Sequence, residues 1–352
     1  MNIEDLLIRK DRTVKQAVKK IDTAGRRIVF VVDEDNRLVG SFTDGDMRRY
    51  LLKNGDFDNP VSEAMWTNPT AFQVNEEEKA KQYIEDTGLI AIPVIDDSRH
   101  VVCAHFRSDV IEGEFCHKAL DGIPVVIMAG GRGTRLYPYT KILPKPLIPI
   151  GEYPITELIM NRFHDYGANE FYLVLNHKKN MVKTYFNEAQ LPYYINYVDE
   201  EQFLGTGGGL SLLKGKINST IIVSNCDCLI DTDYSCMYDY HRNHRNVLTM
   251  ICAMKNFIIP YGVIEMDGTG GIQTMQEKPE FSYLVNTGIY VIEPTVIESL
   301  EYNRYIDLPQ IAVELKNKGE KVGVYPITES SWLDMGQIAE MKKMMRHLDV
   351  EE

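Results

Sequence analysis

The sequence lacks the long apolar run that a membrane span requires. No stretch approaches the roughly 18 to 20 consecutive apolar residues of a transmembrane helix, and the first residues, MNIEDLLIRKDR, carry charges where a signal peptide has its apolar core. Cysteine is also scarce, because only six cysteines occur, unevenly spaced, in a chain of 352 residues. A chain of this length folds without disulfides. We therefore expect a cytoplasmic protein with free thiols and no membrane contact.

The sequence also lacks an excess of positive charge. It carries 38 Lys and Arg against 51 Asp and Glu, a formal net charge of -13. Nucleic acids and anionic membranes repel such a chain outside a local basic patch, so we expect no nucleic-acid partner. With 44% hydrophobic and 25% charged residues, the composition is that of an ordinary globular protein, and the length predicts two or three domains.

No set of cysteines and histidines has the spacing of a structural metal site. The nearest approach to one is a group of three cysteines followed by two histidines, namely Cys226, Cys228, Cys236, His241 and His244. This spacing matches no standard set of zinc ligands. A zinc site is therefore an alternative that the sequence does not favour.

An internal repeat occupies the first 115 or so residues. The stretch RIVFVVDEDNRLVGSFTDGDM (27–47) aligns with AIPVIDDSRHVVCAHFRSDVI (91–111) at an offset of 63 or 64 residues. The pattern of each copy predicts an amphipathic helix (14–23 or 77–87), two strands around an acidic turn, and a helix that begins at Asp46 or Asp109. We expect the two copies to bury each other's apolar faces.

The repeat resembles a tandem pair of cystathionine-beta-synthase-type (CBS) domains, an α+β module, over residues 1–59 and 60–118. The resemblance depends on GSFTDGDMR (40–48) and on PVSEAM (60–65), which opens the second copy. It implies that Thr43 and Asp46 contact the ribose of a regulatory nucleotide. The second copy has Phe106 where the family has Thr, so a second nucleotide site is not expected. The alternative is that Thr43 and Asp46 only cap a helix.

In residues 119–352, short apolar runs alternate with sequence patterns typical of helices. Short apolar runs recur at 124–131, 170–176, 194–198, 220–226 and 247–254, and helical patterns lie between them, as at 155–166 and 181–188. This alternation predicts an α/β domain with a doubly wound, mostly parallel, Rossmann-like sheet. Ligands of such sheets bind at the carboxyl ends of the strands. A last helix is predicted at 337–348, with its methionines in the core.

A purely cationic loop follows the first of these runs. Residues 129–151, AGGRGTRLYPYTKILPKPLIPIG, contain four cations and no carboxylate. Glycines after a strand let backbone amides approach a polyphosphate, and Pro144 and Pro146 restrict the backbone on either side of Lys145. The loop has neither the Gly-Lys-Ser/Thr of a Walker motif nor the G-x-G-x-x-G of dinucleotide-binding folds. The alternative is a surface turn with solvated cations.

The joint pattern G-G-x-G-T-R-L-x-P-x-T with P-K-P-L resembles the sugar-phosphate nucleotidyltransferases, of the GDP-sugar pyrophosphorylase type, from about residue 122 to 348. LGTGGGL, NCDCL, YGVIE, EKP, NTGIYVIEP and WLDMG then occur in the family's order. The resemblance implies that the nucleotide contacts Ala129, Gly130, Gly131, Gly133, Thr134, Arg135, Gly205, Thr206, Gly207 and Gly208. It implies that the sugar phosphate contacts Tyr261, Gly262, Glu277, Lys278, Asn286, Thr287 and Gly288.

The same resemblance implies that Asp227 and Asp334 bind Mg²⁺ and that Arg135, Lys145, Asp227 and Lys278 are catalytic. Cys226 departs from the family, which has Gly before the metal-binding Asp. The implied reaction is the attack of a sugar 1-phosphate on the α-phosphorus of a nucleoside triphosphate, which releases pyrophosphate. Magnesium suits this chemistry because it takes one or two carboxylates plus phosphate oxygens.

The resemblance favours GTP as the nucleotide and glucosamine 1-phosphate as the sugar substrate, for the biosynthesis of surface glycans. Mannose or heptose 1-phosphate, and cytidylyl or adenylyl transfer, are the alternatives within the family. A homo-oligomer is expected, with activity modulated by nucleotide binding to the CBS pair. A different class of function is a nucleotide sensor whose transferase domain is inactive.

Overall fold

The computed structural model describes residues 3–53, 55–107, 118–348 and 350. It divides into two compact units. Residues 1–114 with 328–330 form the N-terminal unit, and residues 115–327 with 331–352 form the C-terminal unit. Among the described residues, no helix has both the length and the apolar content that a bilayer span demands.

The N-terminal unit contains two copies of one supersecondary motif. The first copy consists of β1 (Leu7–Arg9), α1 (Val14–Ala24), β2 (Ile28–Val32), β3 (Leu38–Thr43) and α2 (Asp44–Leu52). The second consists of β4 (Phe72–Gln73), α3 (Glu77–Thr87), β5 (Ala91–Ile95) and β6 (Val101–Phe106). Both form three-stranded sheets with one parallel and one antiparallel pair. Val14 and Glu77, which open the first helix of each copy, are 63 residues apart, so the predicted repeat is confirmed.

The two copies share one core. Phe30 and Leu38 from the first copy lie in the same buried cluster as Ile95, Val101 and Phe106 from the second. Burial of apolar surface between two half-buried sheets stabilises both, as the sequence predicted. The second predicted helix, at Asp109, falls outside the described residues.

Local capping explains where α2 begins. The side chain of Thr43 accepts a hydrogen bond from the backbone N–H of Asp46, and the Asp46 carboxylate accepts one from the N–H of Thr43. This reciprocal pair satisfies N–H groups that have no partner inside the helix. The helix therefore begins at Asp44, and the prediction that it begins at Asp46 was wrong by two residues.

The C-terminal unit is built on a seven-stranded sheet with the order β11-β10-β7-β12-β17-β14-β18. Its strands are β7 (Val125–Met128), β10 (Glu170–Leu175), β11 (Tyr194–Asp199), β12 (Ile221–Asn225), β14 (Leu248–Ile258), β17 (Glu280–Ile292) and β18 (Val322–Ile327). Neighbouring strands are parallel except at β17, which runs antiparallel to β12 and to β14. The predicted mostly parallel, mixed sheet is confirmed.

Helices and short hairpins connect these strands. The helices are α4 (Tyr139–Ile142), α5 (Ile155–His164), α6 (Lys179–Glu188), α7 (Tyr234–His244), α8 (Pro294–Ser299), α9 (Leu308–Asn317) and α10 (Ile338–His347). The smaller strands are β8 (Pro149–Ile150), β9 (Tyr153–Pro154), β13 (Cys228–Ile230), β15 (Gly262–Met266), β16 (Ile272–Glu277) and β19 (Trp332–Asp334). Short 3-10 helices include Thr134–Leu136, Lys145–Leu147 and Gly208–Leu213.

Apolar clusters cover both faces of the large sheet. In β7, Val125 and Ile127 belong to one cluster, whereas Val126 and Met128 belong to the other. Side chains of a strand alternate between faces, so a strand buried on both faces reads as an uninterrupted apolar run. The first cluster also includes Met341 and Met344 of α10, as predicted for the last helix.

Strand register sets the position of the functional loops. Met128 of β7 pairs with Asn225 of β12 in a parallel ladder. The cationic loop follows Met128 directly, and Asp227 follows Asn225 by two residues. Because carboxyl ends of parallel strands meet at one edge, the fold brings both segments together there.

Candidate active site

A cavity of about 330 Å³ opens at this edge of the sheet. The predicted residues that line it are Gly130, Gly131, Gly133, Thr134, Arg135, Lys145, Gly205, Thr206 and Asp227. The structure thus brings together three of the four predicted catalytic residues and most of the predicted nucleotide contacts. Ala129 is buried and is not among the lining residues; its N–H donates to the carbonyl oxygen of Val174.

Gly133 lets the two ends of the cationic loop pack together. It has a φ of 65°, and a Cβ at this position would lie 2.8 Å from the Thr140 side chain and 3.0 Å from Cβ of Lys145. A larger residue would push the Lys145 turn outwards, and its φ would be strained. Gly131, by contrast, would have open space around a Cβ.

Lys145 is largely buried and paired with Asp227. It begins a 3-10 turn directly after Pro144, and its Nζ donates a hydrogen bond to Oδ2 of Asp227. Burial lowers the pKa of Lys145, but the charge and hydrogen bond of the Asp227 carboxylate, together with other negative charges nearby such as Asp334, outweigh burial, so the pKa is raised above its usual value. The side chain therefore carries a fixed positive charge at neutral pH.

Asp227 and Asp334 come together through a small antiparallel ladder. In this ladder Cys228 of β13 pairs with Asp334 of β19, and the N–H of Met335 donates to the carbonyl oxygen of Asp227 at 2.8 Å. Burial, and next the negative charge of Asp227, raise the pKa of Asp334, although the N–H of Gly336 donates to its carboxylate. Two carboxylates that repel each other across a buried site form an oxygen ligand set of the kind that Mg²⁺ prefers. The residues present fit this ion.

The structure does not support the zinc alternative. Within the ranges that the structure describes, no three His, Cys, Asp or Glu side chains are grouped closely enough to hold a metal ion. His241 is fully buried, and its ring nitrogens contact the Thr249 hydroxyl at 2.8 Å and the Glu293 carboxylate at 3.0 Å. Cys236 is exposed on the same helix. His241 therefore serves packing of the core.

The glycine loop 205–208 is held by a residue that the sequence did not identify. Asp307 accepts hydrogen bonds from the backbone N–H of Thr206 at 2.8 Å and from its hydroxyl at 3.0 Å. The N–H groups of Gly207 and Gly208 both donate to the carbonyl oxygen of Ile306. Of the four predicted nucleotide contacts in this loop, Gly205 and Thr206 line the cavity, and Gly207 and Gly208 do not.

Glycine in this loop is required mainly for close packing. A Cβ on Gly208 would lie 2.2 Å from the carbonyl oxygen of Arg304, and one on Gly207 would lie 3.0 Å from the backbone nitrogen of Leu308. These approaches fix the loop against the segment that contains Asp307.

Glu200 is a second residue that sequence reasoning missed. It is only 3% exposed, lines the cavity, and its Oε1 has no hydrogen-bond partner in the structure. Burial raises its pKa to about 7. Gly130 and Gly209 make room for this carboxylate, because a Cβ on either would lie within 2.7 Å of one of its oxygens. A buried polar atom without a partner is costly, which points to a ligand that supplies one.

Lys178 anchors the cationic loop from outside the cavity. Its Nζ donates to three consecutive backbone carbonyl oxygens, those of Thr140, Lys141 and Ile142, at 2.8 to 3.1 Å. These carbonyls end the short helix α4, where backbone acceptors lack partners and a cation is favourable. The contact fixes the turn that leads into Lys145.

The predicted sugar-phosphate residues are divided between two places. Tyr261, Gly262, Glu277 and Lys278 lie at the base of the β15–β16 hairpin, are exposed, and do not line the cavity. The N–H of Lys278 donates to the carbonyl oxygen of Tyr261. The structure therefore does not bring Lys278 into one cavity with the other three catalytic candidates.

The remaining sugar candidates lie on β17. Gly288 has a φ of 87° and would place a Cβ 2.3 Å from the amide of Asn225, which lines the cavity. Thr287 is buried, and its hydroxyl donates to the carbonyl oxygen of Ile251. Asn286 donates to the Tyr290 hydroxyl at 2.6 Å. In the structure Thr287 therefore serves packing of the strand.

A second cavity, of about 370 Å³, lies in the N-terminal unit and is lined by Thr43, Asp46 and Arg49 among others. Asp46 accepts hydrogen bonds from the Thr43 hydroxyl at 2.6 Å and from Arg49 at 2.5 Å. Thr43 and Asp46 therefore cap α2 and line a cavity at the same time. In the second copy, the ring of Phe106 lies 4.5 Å from the guanidinium of Arg26.

Comparison with known proteins identifies two families that the sequence matches. Residues 124–350 match the family model described as nucleotidyl transferase, and residues 1–53 match that of the CBS domain. A UTP–glucose-1-phosphate uridylyltransferase of Synechocystis sp. is 29% identical over 242 residues, which cover 63% of this chain and 62% of the relative. A mannose-1-phosphate guanylyltransferase of Mycobacterium tuberculosis is 29% identical over 219 residues, 61% of each chain. The chain thus matches about three fifths of the length of each of these relatives.

A solved structure has the same fold. The crystal structure of HddC from Yersinia pseudotuberculosis superposes with a TM-score of 0.50 at 22% identity, and covers 64% of this chain and 99% of that one. Since the nucleotidyl transferase model covers well over half of the sequence, the chain belongs to the nucleotidyl transferase family and carries an N-terminal CBS domain.

Proposed function

We propose that the protein transfers a nucleotidyl group, guanylyl from GTP, to a sugar 1-phosphate and releases pyrophosphate. The observation that carries the proposal is the convergence of Arg135, Lys145 and Asp227 on one cavity. Asp334 pairs with Cys228, the residue next to Asp227. Cations and carboxylates at the carboxyl ends of parallel strands suit a polyphosphate. Arg135 presents a planar set of N–H donors, and Lys145 presents a point charge.

The reaction needs charge neutralisation and positioning. An oxygen of the sugar 1-phosphate forms a bond to the α-phosphorus of the triphosphate, and the bond between the α-phosphorus and the bridging oxygen to the β-phosphorus breaks. Both reactants are anions, so Arg135 and Lys145 lower the electrostatic barrier and stabilise the leaving pyrophosphate. No general base is needed, because a phosphate monoester is already ionised at neutral pH.

Asp227 and Asp334 would hold Mg²⁺, which in such sites neutralises phosphate charge and orients phosphate oxygens. Their mutual repulsion, which contributes to the raised pKa of Asp334, is relieved by a cation. Lys145 contacts one oxygen of Asp227 and the N–H of Gly336 donates to one oxygen of Asp334, which leaves the second oxygen of each carboxylate outside these two contacts. The pair thus supports a magnesium-dependent reaction.

Glu200 supports guanine as the base. An ionised carboxylate only accepts hydrogen bonds, and guanine presents two adjacent donors, its N1–H and its amino group. Uracil has one ring N–H between two carbonyl groups, and the oxygens of an ionised carboxylate repel these carbonyl oxygens. The buried Oε1 without a partner fits the guanine pattern. A protonated Glu200 would instead match uracil, so uridylyl transfer is the second candidate, favoured by the raised pKa of this carboxyl group.

The sugar is proposed from the resemblance of the sequence, which favours glucosamine 1-phosphate over mannose or heptose 1-phosphate. Glu277, at the base of the hairpin, supports an amino sugar because a carboxylate pairs with its ammonium group in a charge-assisted hydrogen bond. Lys278 follows it and would hold the sugar phosphate. Both side chains are exposed in the structure, so substrate must bring them towards the cavity.

Pyrophosphate release tests the function directly. We expect release with GTP and glucosamine 1-phosphate to exceed that with UTP, CTP or ATP, and to require the sugar 1-phosphate. The product should have the mass of a GDP-sugar. Absence of release with every combination of the four triphosphates and a panel of sugar 1-phosphates would refute the proposal.

The cavity that contains Thr43 and Asp46 supports a second role, nucleotide sensing by the CBS module. In this proposal a bound nucleotide changes the activity of the transferase, by an equilibrium between conformations or oligomers. A cytoplasmic homo-oligomer is part of the same proposal. If the protein binds nucleotides but releases no pyrophosphate, it is a sensor and not an enzyme.

A further inference from the structure

An aromatic side chain lies at the rim of the active-site cavity. Phe203 lines this cavity, yet 47% of its surface remains exposed. A phenylalanine left partly in water forgoes the free energy that burial of its ring would provide. A flat ligand that covers the ring inside the cavity would recover that free energy.

A second ring supports the first. The centroid of the Tyr305 ring lies 6.1 Å from that of Phe203, and the two planes meet at 67°, an edge-to-face arrangement. Such pairs are favourable because the positive edge of one ring meets the negative face of the other. Tyr305 is itself 61% exposed. We name Phe203 and Tyr305 together the aromatic wall.

Backbone hydrogen bonds hold the aromatic wall in place. The residues that follow the two rings, Leu204 and Ile306, are both buried. The N–H of Ile306 donates to the carbonyl oxygen of Leu204 at 3.0 Å. The carbonyl oxygen of Ile306 in turn accepts from Gly207 and Gly208 of the glycine loop. The two segments that carry the rings are thus tied to each other, so the wall is preorganised and loses little conformational entropy on binding.

The charges around the cavity indicate which part of a nucleotide lies against the wall. The Glu200 carboxylate lies beside Gly130 and Gly209, because a Cβ on either would come within 2.7 Å of one of its oxygens. Lys145 lies beside Gly133, three residues further along the cationic loop, where a Cβ would come within 3.0 Å of its own Cβ. A phosphate is attracted by the cation and repelled by the carboxylate. The uncharged base therefore belongs beside Glu200.

The aromatic wall is on the side of the cavity where the base belongs. Phe203 follows Glu200 by three residues and lines the same cavity. A ring beside the carboxylate offers a face to the flat base, while the carboxylate reaches the edge of the base. Every base has a π face that can stack on an aromatic side chain, and a two-ring purine covers more of that side chain than a one-ring pyrimidine does.

We propose that the purine ring of the nucleoside triphosphate stacks on Phe203 and that Tyr305 positions Phe203 for this contact. The inference rests on the proposed function, which supplies a purine triphosphate as substrate. Glu200 then selects the base by its edge, and the aromatic wall binds the base by its face. These two contributions involve different atoms of the base, so variants and analogues can separate them.

Steady-state kinetics test the stacking contact. Phe203→Ala should raise the KM for GTP by about 5- to 150-fold, because the base loses its stacking partner. The kcat should stay within a factor of about two, since the base makes the same contact in the ground state and in the transition state. Phe203→Trp keeps an aromatic face and should retain the wild-type KM within a factor of about three. Tyr302→Ala removes an exposed ring near Tyr305 and, as the matched control, should change neither constant.

A double-mutant cycle tests the positioning role of Tyr305. Tyr305→Ala should raise the KM for GTP by about 2- to 12-fold, the range expected for loss of an edge-to-face pair, whereas Tyr305→Phe should not. In the Phe203→Ala background, Tyr305→Ala should raise the KM no further, because Tyr305 acts through Phe203. Additive effects of the two substitutions would contradict the positioning role.

Inosine triphosphate, which lacks the amino group of guanine, separates the aromatic wall from Glu200. Phe203→Ala should raise the KM for ITP and for GTP by the same factor, because both bases present the same ring face. Glu200→Gln should raise the KM for GTP more than that for ITP, since only guanine has an amino group that donates to the carboxylate. If Phe203→Ala changed the ratio of the two KM values, Phe203 would act through Glu200 and the inference would be wrong.

Fluorescence measures the same contact without turnover. Stacking against guanine quenches the emission of an indole ring, so Phe203→Trp places a reporter on the aromatic wall. GTP with Mg²⁺ and without a sugar phosphate should quench this variant more than it changes the emission of wild type, which comes from Trp66 and Trp332. If this quenching occurs while wild type releases no pyrophosphate, the wall is supported and the proposed reaction is wrong.

Circular dichroism spectra and melting temperatures that match wild type will establish that each variant is folded. A KM for GTP in Phe203→Ala within a factor of about two of wild type would overturn the inference. So would a loss of kcat at unchanged KM, which would indicate a structural role. Equal responses of Phe203→Trp and wild type to GTP would also contradict it. Pyrophosphate release by wild type would, in each of these cases, leave the proposed function standing.

Discussion

Lys145 sits between two prolines and donates its hydrogen bond to a buried carboxylate. The short 3-10 turn that it begins leaves the side chain few conformations, so its charge is available at one point in the cavity. The raised pKa means that this charge is present at neutral pH. The sequence identified this residue because the restriction is local and is encoded by its neighbours.

Replacement of Lys145 by alanine should reduce turnover by about 100-fold or more while the fold remains intact, because a preorganised cation is lost from the transition state. Lys141→Ala, in the same loop but exposed, is the matched control and should retain activity within a factor of about two. Steady-state pyrophosphate release measures both. Near wild-type turnover in Lys145→Ala would remove this residue from the catalytic set.

Glu200 should select the base by its ionised form. Glu200→Gln should raise the KM for GTP by about 10- to 100-fold, since a charged hydrogen bond is worth about 1.5–3 kcal/mol, and should affect UTP much less. Because the pKa is about 7, the wild-type KM for GTP should fall as the pH rises through 7. Glu201→Gln, which changes an exposed neighbour, should leave both the KM for GTP and its pH dependence as in wild type. Equal effects on GTP and UTP would contradict guanine recognition.

Glu200 should also make stability depend on pH. Its folded pKa lies above the unfolded value of 4.5, so ionisation costs free energy in the folded state. The free energy of unfolding should therefore fall as the pH rises from about 4.5 to about 7. At pH 8, Glu200→Gln should be more stable than wild type by about 1–2 kcal/mol, which urea denaturation at several pH values measures. The opposite slope would mean that the carboxylate has a partner.

Sequence reasoning missed Glu200 and Asp307 for a physical reason. Each is one acidic residue among several in an acidic chain. Their significance arises from burial by glycines and from contacts across roughly a hundred residues of sequence, as between Asp307 and Thr206. Asp227 and Asp334, in contrast, lie at or just beyond the ends of strands, within recognisable motifs.

At the scale of elements, the glycine loop 205–208 depends on the segment that precedes α9. Asp307→Ala removes the two hydrogen bonds that the Asp307 carboxylate accepts from Thr206, one from its N–H and one from its hydroxyl. We expect the free energy of unfolding to fall by about 1–3 kcal/mol and the KM for the triphosphate to rise about 10-fold. Glu301→Ala, exposed in the same segment, is the control. Urea denaturation measures the loss of stability, and steady-state kinetics measure the change in KM. An unchanged KM would mean that Thr206 does not contact the nucleotide.

The sequence predicted element types well and their ends less well. The run 124–131 forms a strand only from Val125 to Met128, because the glycines leave the sheet. β14 reaches Ile258, four residues beyond the predicted 254, because β17 continues to pair with it after the sheet ends. Helix α6 begins at Lys179, two residues before the predicted 181. Such ends depend on tertiary partners, which periodicity does not encode.

At the scale of the whole molecule, the CBS module should give the enzyme a response to nucleotides. If Thr43 binds a regulatory nucleotide, Thr43→Val should abolish the change in activity caused by added AMP, ADP, ATP or GDP. It should also lower stability by about 1 kcal/mol through loss of the helix cap. Thr87→Ala, exposed at the end of α3, should keep the response. A full-length protein without any response would refute regulation, and an undiminished response in Thr43→Val would refute this site.

The overall architecture was predictable because it depends on repeated patterns. The repeat and its offset predicted the two copies of one motif in the N-terminal unit. The alternation of apolar runs with helical patterns predicted the α/β sheet of the C-terminal unit. The antiparallel direction of β17 was not predictable, because the apolar run of a strand buried on both faces is the same in either direction.

The most direct test of the account is a magnesium titration of pyrophosphate release for wild type, Asp227→Asn and Asp334→Asn. The central claim is that two aspartates, distant in sequence, hold one divalent ion beside Lys145. We expect wild-type activity to depend on Mg²⁺ and each variant to lose about 100-fold or more of it at every metal concentration. Titration curves that superpose on those of the wild type would contradict the claim.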